Sequence, residues 1–168
     1  AIVGKPNVGK SSLLNLLLNE DKAIVTNIEG TTRDIVEGNL LIDGVKIDIL
    51  DTAGIRETND VVESIGVKKS IEAINASDLV LFVIDSEIGF DKEDETILKQ
   101  IKNKNILVIY NKKDKNNNYK YGKLSKYSYI NISTFDKECV EELRKKISEI
   151  FDLKSICESN YTYISNAR

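Results

Sequence analysis

The chain contains no histidine, no methionine and no tryptophan, and only one proline and two cysteines among its 168 residues. Without histidine, the commonest general base near neutral pH and the commonest zinc ligand are both missing, so any chemistry is done by other groups. Cys139 and Cys157 have neither metal-ligand spacing nor a histidine partner, and they read as reduced, structural thiols. No apolar run approaches the length of a membrane span, and no charged, apolar, small-residue order marks a signal peptide. The expectation is a cytoplasmic protein with no membrane partner. A chain with no methionine is expected to be a fragment of a longer translation product. The formal net charge of −3 gives no global attraction for nucleic acid or anionic lipid, so any RNA contact is local or lies in other parts of the protein. The length suits a single domain with a substantial core.

What is present is organised around Gly4-Lys5-Pro6-Asn7-Val8-Gly9-Lys10-Ser11, which satisfies the phosphate-binding pattern G-x-x-x-x-G-K-S/T at every specified position. The glycines let successive backbone N–H groups turn inward around β- and γ-phosphate oxygens. Lys10 adds a positive charge, and the Ser11 hydroxyl is placed to ligand Mg²⁺. Ala1-Ile2-Val3 reads as the end of an apolar strand. Ser12 to Leu18 starts a helix whose positive dipole end faces the phosphates.

Further along, Asp21 to Thr32 reads as a loop ending in Gly30-Thr31-Thr32-Arg33-Asp34. Ile35 to Ile42 and Val45 to Leu50 predict two antiparallel strands joined by a tight Asp43-Gly44 turn. Asp51-Thr52-Ala53-Gly54 follows the second, and Val62 to Ala76 is helix-like, with Ile71 and Ile74 expected inward. Leu79 to Ile84 and Ile106 to Tyr110 are uninterrupted apolar runs, as expected of strands buried on both faces of a parallel sheet. Lys92 to Lys102 fits a surface helix between them. Tyr129 to Ile132 predicts a short last strand, and Val140, Leu143, Ile147 and Ile150 mark a closing amphipathic helix. The alternation predicts an α/β three-layer fold of the P-loop NTPase type. Its six-stranded, mainly parallel sheet would carry one antiparallel edge strand and helices on both faces, with ligands at the carboxyl ends of the strands. The Lys-, Asn- and Tyr-rich stretch at 115–127 reads as a solvated insertion loop.

Asn111-Lys112-Lys113-Asp114 is an N-K-x-D box at the end of a buried strand. A carboxylate there can accept from guanine N1–H and the N2 amino group, a pair that adenine lacks, so discrimination on the order of 10⁴-fold is physically reasonable. With a full P-loop and D-T-A-G in this order, the set resembles the translation-factor class of P-loop GTPases. Gly30-Thr31-Thr32-Arg33-Asp34, Asp51-Thr52-Ala53-Gly54-Ile55-Arg56-Glu57 and Val62-Glu63-Ser64-Ile65-Gly66-Val67 narrow the resemblance to the MnmE (TrmE) family of tRNA-modification GTPases.

That resemblance implies GTP and GDP as ligands, with Lys10 and the amides of Asn7, Val8, Gly9, Lys10, Ser11 and Ser12 on the phosphates. It implies Mg²⁺ on Ser11 and Thr32, supported through water by Asp51, with Thr52, Ala53 and Gly54 beside it. Asn111, Lys112, Lys113 and Asp114 would hold guanine, with Ser133-Thr134 where the family carries a Ser-Ala base contact. Thr26-Asn27-Ile28-Glu29-Gly30 resembles the family's potassium loop. K⁺ would be held by Asn7, Thr26, Ile28 and Thr31 and act as a fixed arginine finger. Ile55 stands where many relatives place a water-orienting Gln, and the family's water-positioning Glu aligns with Glu63. The resemblance further implies dimerisation through G domains, an MnmG (GidA)-like flavoprotein partner and tRNA wobble-uridine modification. Ile164 to Arg168 resembles the re-entry into the family's helical domain, implying a G domain at 1–153 and a tail at 154–168. Two alternatives stay open: a Der/EngA-like ribosome-assembly GTPase, and a module that binds GTP with little turnover.

Overall fold

A computed structural model describes residues 1–20, 36–50, 71–115 and 122–153. In chain order these form β1 (Ile2–Val3), α1 (Lys10–Glu20), β2 (Val36–Ile42), β3 (Val45–Leu50), a helical stretch α2 (71–76), β4 (Leu79–Asp85), α3 (Lys92–Ile101), β5 (Asn105–Asn111), β6 (Ser128–Asn131) and α4 (Glu138–Phe151). A 3-10 turn at Gly122–Leu124 precedes β6.

Strands β1, β4, β5 and β6 pair in parallel in the spatial order β1-β4-β5-β6. All seven residues of β4 are buried, and this follows from helices lying on both faces of the sheet. Successive side chains of a strand point to opposite faces. Leu79, Leu81 and Val83 accordingly join Leu13 and Leu17 of α1 and Val140, Leu143 and Ile147 of α4, while Val80, Phe82 and Ile84 join Ile74 and Ile101. The three-layer α/β class expected from the sequence is the observed one.

The sheet is partitioned differently from the expectation. Among the described residues β2 and β3 form a separate antiparallel pair rather than the edge of one six-stranded sheet. Strand β1 has only two residues in its ladder. A cavity of about 520 Å³, lined in part by Ile2, Leu17, Leu40, Ile47 and Ile49, lies between it and the hairpin. The hairpin turn is as expected, with Asp43 at φ 47° and Gly44 at φ 79°, the left-handed pair that suits a two-residue connection. Ile71 is a second correction: it is 42% exposed, and Ala73 and Ile74 are the inward residues of α2. Residues 62–70, on which the longer helical reading rested, lie outside the described residues.

Helix α3 begins with a capping box. The Asp91 carboxylate accepts from the N–H groups of Glu93 (2.9 Å) and Asp94 (3.1 Å), and Asp94 Oδ2 accepts from the Asp91 N–H at 3.1 Å. Helix α4 ends at Asp152 in the left-handed conformation. No helix among the described residues is long and apolar enough to cross a membrane.

Candidate nucleotide-binding site

Beyond the carboxyl ends of β1, β4, β5 and β6 the chain places the P-loop, Asp85, the Asn111 box and Ser133 on one side of the sheet. In open parallel sheets this is where ligands bind. Within the P-loop, Asn7 (φ 63°) and Gly9 (φ 98°) are left-handed, and such residues turn backbone N–H groups into an anion-binding concavity. The Leu13 N–H donates to Gly9 O at 2.9 Å, so α1 starts directly from the loop. Lys10 Nζ donates to the carbonyl of Lys5 at 2.6 Å. Asn7, Ser11 and Ser12 are exposed, which leaves the Ser11 hydroxyl accessible in the first turn of α1, while Val8 is buried.

Asn111 joins the two halves of the site. Its side chain is 1% exposed, Nδ2 donates to Val8 O at 2.9 Å, and Oδ1 accepts from the Lys112 N–H at 2.8 Å. Both ends of the amide are thus used within the protein, binding the base-side loop to the P-loop. The approach is so close that a Cβ on Gly9 would stand 2.2 Å from Asn111 Nδ2. Lys112 is left-handed (φ 64°), and its ammonium pairs with the Asp85 carboxylate. Burial pushes the Asp85 carboxyl up, but the Lys112 hydrogen bond, the Glu87 N–H and nearby positive charge outweigh it and hold the group below the ordinary carboxylate range. Asp114 is exposed, and one of its oxygens accepts from Ser133 Oγ at 2.6 Å. The serine paired in sequence reasoning with Thr134 therefore orients the carboxylate expected to read the base, and Thr134 is half-buried beside it.

Lys113 reaches away from this pair. Its ammonium lies 2.9 Å from Asp136 Oδ2 and 2.9 Å from Cys139 Sγ, and its N–H donates to Ile132 O at 2.9 Å. The Cys139 sulfur first, and then Asp136, hold the ammonium above its ordinary range. Cys139 is a free, buried thiol. Lys113 thus ties the N-K-x-D box to the loop after β6.

Sequence reasoning singled out neither Asp85 nor the Lys5–Asp91–Asp94 group. Asp85 carried a signal: it is a carboxylate ending an otherwise apolar strand, and it stands in register with Asn111. Thr26, Asn27, Ile28, Glu29, Gly30, Thr31 and Thr32, then Asp51, Thr52, Ala53 and Gly54, and also Glu63 and Cys157, lie outside the described residues. Ser11 fits a hard cation by donor type, as an accessible hydroxyl oxygen beside a phosphate cradle.

Residues 1–112 match the family model described as 50S ribosome-binding GTPase. The chain belongs to this GTPase family. It is a GTP-hydrolysing domain of the P-loop class, and its whole length matches tRNA modification GTPase MnmE of Streptococcus agalactiae with 46% identity over 169 residues. MnmE of Thermosipho melanesiensis is 49% identical over 158 residues, or 94% of this chain. The chain spans 37% and 35% of the length of these two relatives, and so corresponds to the GTPase portion of such a protein. Among solved structures, Aquifex aeolicus Era bound to GDP and AlF4⁻ superposes with a TM-score of 0.65 and 35% identity, over 86% of this chain and 55% of that one. The G domain of the T. maritima FeoB iron transporter gives 0.61 and 27%, over 88% and 94%.

Proposed function

We propose that this GTPase domain serves tRNA wobble-uridine modification within an MnmE-like protein, through a K⁺-activated cycle coupled to dimerisation of its G domains. The observation that carries the nucleotide reading is the Asn111 bridge. It holds the P-loop and the Asp114–Ser133 pair as one unit, with a phosphate cradle at one end and a guanine-reading carboxylate at the other.

In this reading Asn7 to Ser12 surround the phosphates and Lys10 exchanges the Lys5 carbonyl for a phosphate oxygen. Asp114 accepts from the guanine edge while Ser133 and Lys113 keep its loop in place. Lys112 stays anchored on Asp85, and Thr134 lines the base side. Ser11 and Thr32 would hold Mg²⁺, with Asp51 behind it through water and Thr52 to Gly54 alongside. Asn7, Thr26, Ile28 and Thr31, within the segment that includes Asn27, Glu29 and Gly30, would hold K⁺. Both cations, when bound, neutralise charge on the phosphate oxygens. Glu63 orients the attacking water, the task for which Ile55 has no suitable group.

The domain boundary is placed after residue 153, with 154–168 leading toward a helical domain. An MnmG-like flavoprotein and tRNA would engage the full-length protein in the cytoplasm.

Phosphate release in K⁺ and in Na⁺ at matched ionic strength, with nucleotide-triggered dimerisation followed by light scattering, tests the cycle. Faster turnover in K⁺ is expected, and equal rates in dimerised protein would defeat the K⁺ assignment.

A further inference from the structure

We infer that Lys5, through the ion pairs its buried ammonium makes with the exposed Asp91 carboxylate and the buried Asp94 carboxylate, is a positioning residue for the phosphate-binding Lys10. This rests on the reading of Gly4 to Ser11 as a phosphate cradle. Lys5 occupies one of the unspecified positions of the P-loop pattern, where the motif demands no charge. Yet the residue is 8% exposed, and its Nζ lies 2.5 Å from Asp91 Oδ2 and 3.0 Å from Asp94 Oδ2. Both carboxylates belong to the capping box of α3, so they are already held by backbone N–H groups before the lysine arrives. The ammonium therefore docks onto a rigid corner of the fold. Burial lowers the pKa of Lys5, but Asp91 and Asp94 more than reverse it, so the anchor stays charged.

The other end of the same residue faces the cradle. The Lys5 carbonyl is the acceptor that holds Lys10 Nζ at 2.6 Å. Side chain and carbonyl share one Cα, and Pro6 restricts the backbone on the carboxyl side. Fixing the ammonium on α3 thus fixes the carbonyl and, through it, the resting place of Lys10. Stability alone does not account for the arrangement, because a buried ion pair is often replaced by apolar groups at no net loss. What an apolar pair does not supply is a directional anchor for the loop.

The test measures GDP and GMP affinity of the full chain by titration, for the parent, Lys5→Arg, Lys5→Met and Lys5→Met/Asp94→Asn. The double variant removes the uncompensated buried carboxylate but keeps an oxygen for the Asp91 N–H, so it isolates positioning from folding. GMP carries no β-phosphate for Lys10 to meet. A loss of about tenfold in GDP affinity is expected in Lys5→Met and in the double variant, with GMP affinity unchanged and Lys5→Arg close to the parent. The melting temperature of the double variant should return toward that of the parent. Parental GDP affinity in the double variant, or equal losses for GDP and GMP, would overturn the inference. A parent chain that bound GDP no better than GMP would instead overturn the phosphate-cradle reading beneath it.

Discussion

Asp114 and Ser133 are 19 residues apart in sequence and 2.6 Å apart in space, and that hydrogen bond leaves the second Asp114 oxygen for a ligand. Asp114→Asn replaces an acceptor with a donor facing C2 of the base, which suits xanthine better than guanine. Competition between GTP and XTP should show the preference moving toward XTP; an unchanged preference for GTP would remove Asp114 as the base reader. Glu63 is the corresponding test for turnover. Phosphoryl transfer depends mostly on positioning and charge stabilisation, so Glu63→Ala should lower single-turnover hydrolysis in K⁺ by roughly 10²- to 10³-fold, about 3 to 4 kcal/mol, with GTP affinity nearly unchanged. Equal losses in rate and affinity would point to a binding role instead. Asp114 was legible as a candidate from the sequence, because N-K-x-D is a local pattern, whereas Glu63 is a candidate through the family resemblance alone and lies outside the described residues. The mutual support within the box was not legible: Lys113 was expected among the guanine-holding residues, yet its ammonium clamps Asp136 and Cys139.

At the scale of elements, the apolar run of β4 and the spacing of Val140, Leu143 and Ile147 on α4 were readable because burial imposes a period on each. The run becomes a strand covered on both faces, and the spaced residues become one buried stripe. Leu143 is buried in the cluster between α4 and the sheet. Leu143→Ala should cost about 2 to 5 kcal/mol of stability by urea denaturation, since the removed atoms leave a cavity that closes only in part. Ile88→Ala, at an exposed side chain, should stay within about 0.5 kcal/mol. If the two variants proved alike, α4 would not be packed as described. Ile71 shows where periodicity misleads. A helical pattern says that one stripe is inward, but Ile71, the first described residue of α2, faces solvent while Ala73 and Ile74 reach the core.

For the molecule as a whole, the Lys112–Asp85 pair ties the end of β4 to the box after β5, and it links stability to pH. The Asp85 carboxyl titrates lower in the folded chain than in the unfolded one, so the unfolded state binds more protons in acid. Its contribution is therefore fully present above the unfolded value, about 4, and is lost as pH falls through the folded value. Asp85→Asn should be less stable than the parent at pH 7, with the gap closing as denaturation is repeated toward pH 3; a gap independent of pH would mean that charge is not its source. The sequence by itself determined the fold class and which residues stand in the phosphate and base motifs. Short-range rules govern turns, strand burial and residue type, and each motif carries its own. Only the tertiary structure decided that the hairpin pairs apart from β1 among the described residues, that Asn111 reaches Val8 across 103 positions, and that Lys5 finds Asp91 across 86. Those contacts depend on strand order and on the few ångströms separating loops at one end of a sheet, and no local pattern encodes that distance.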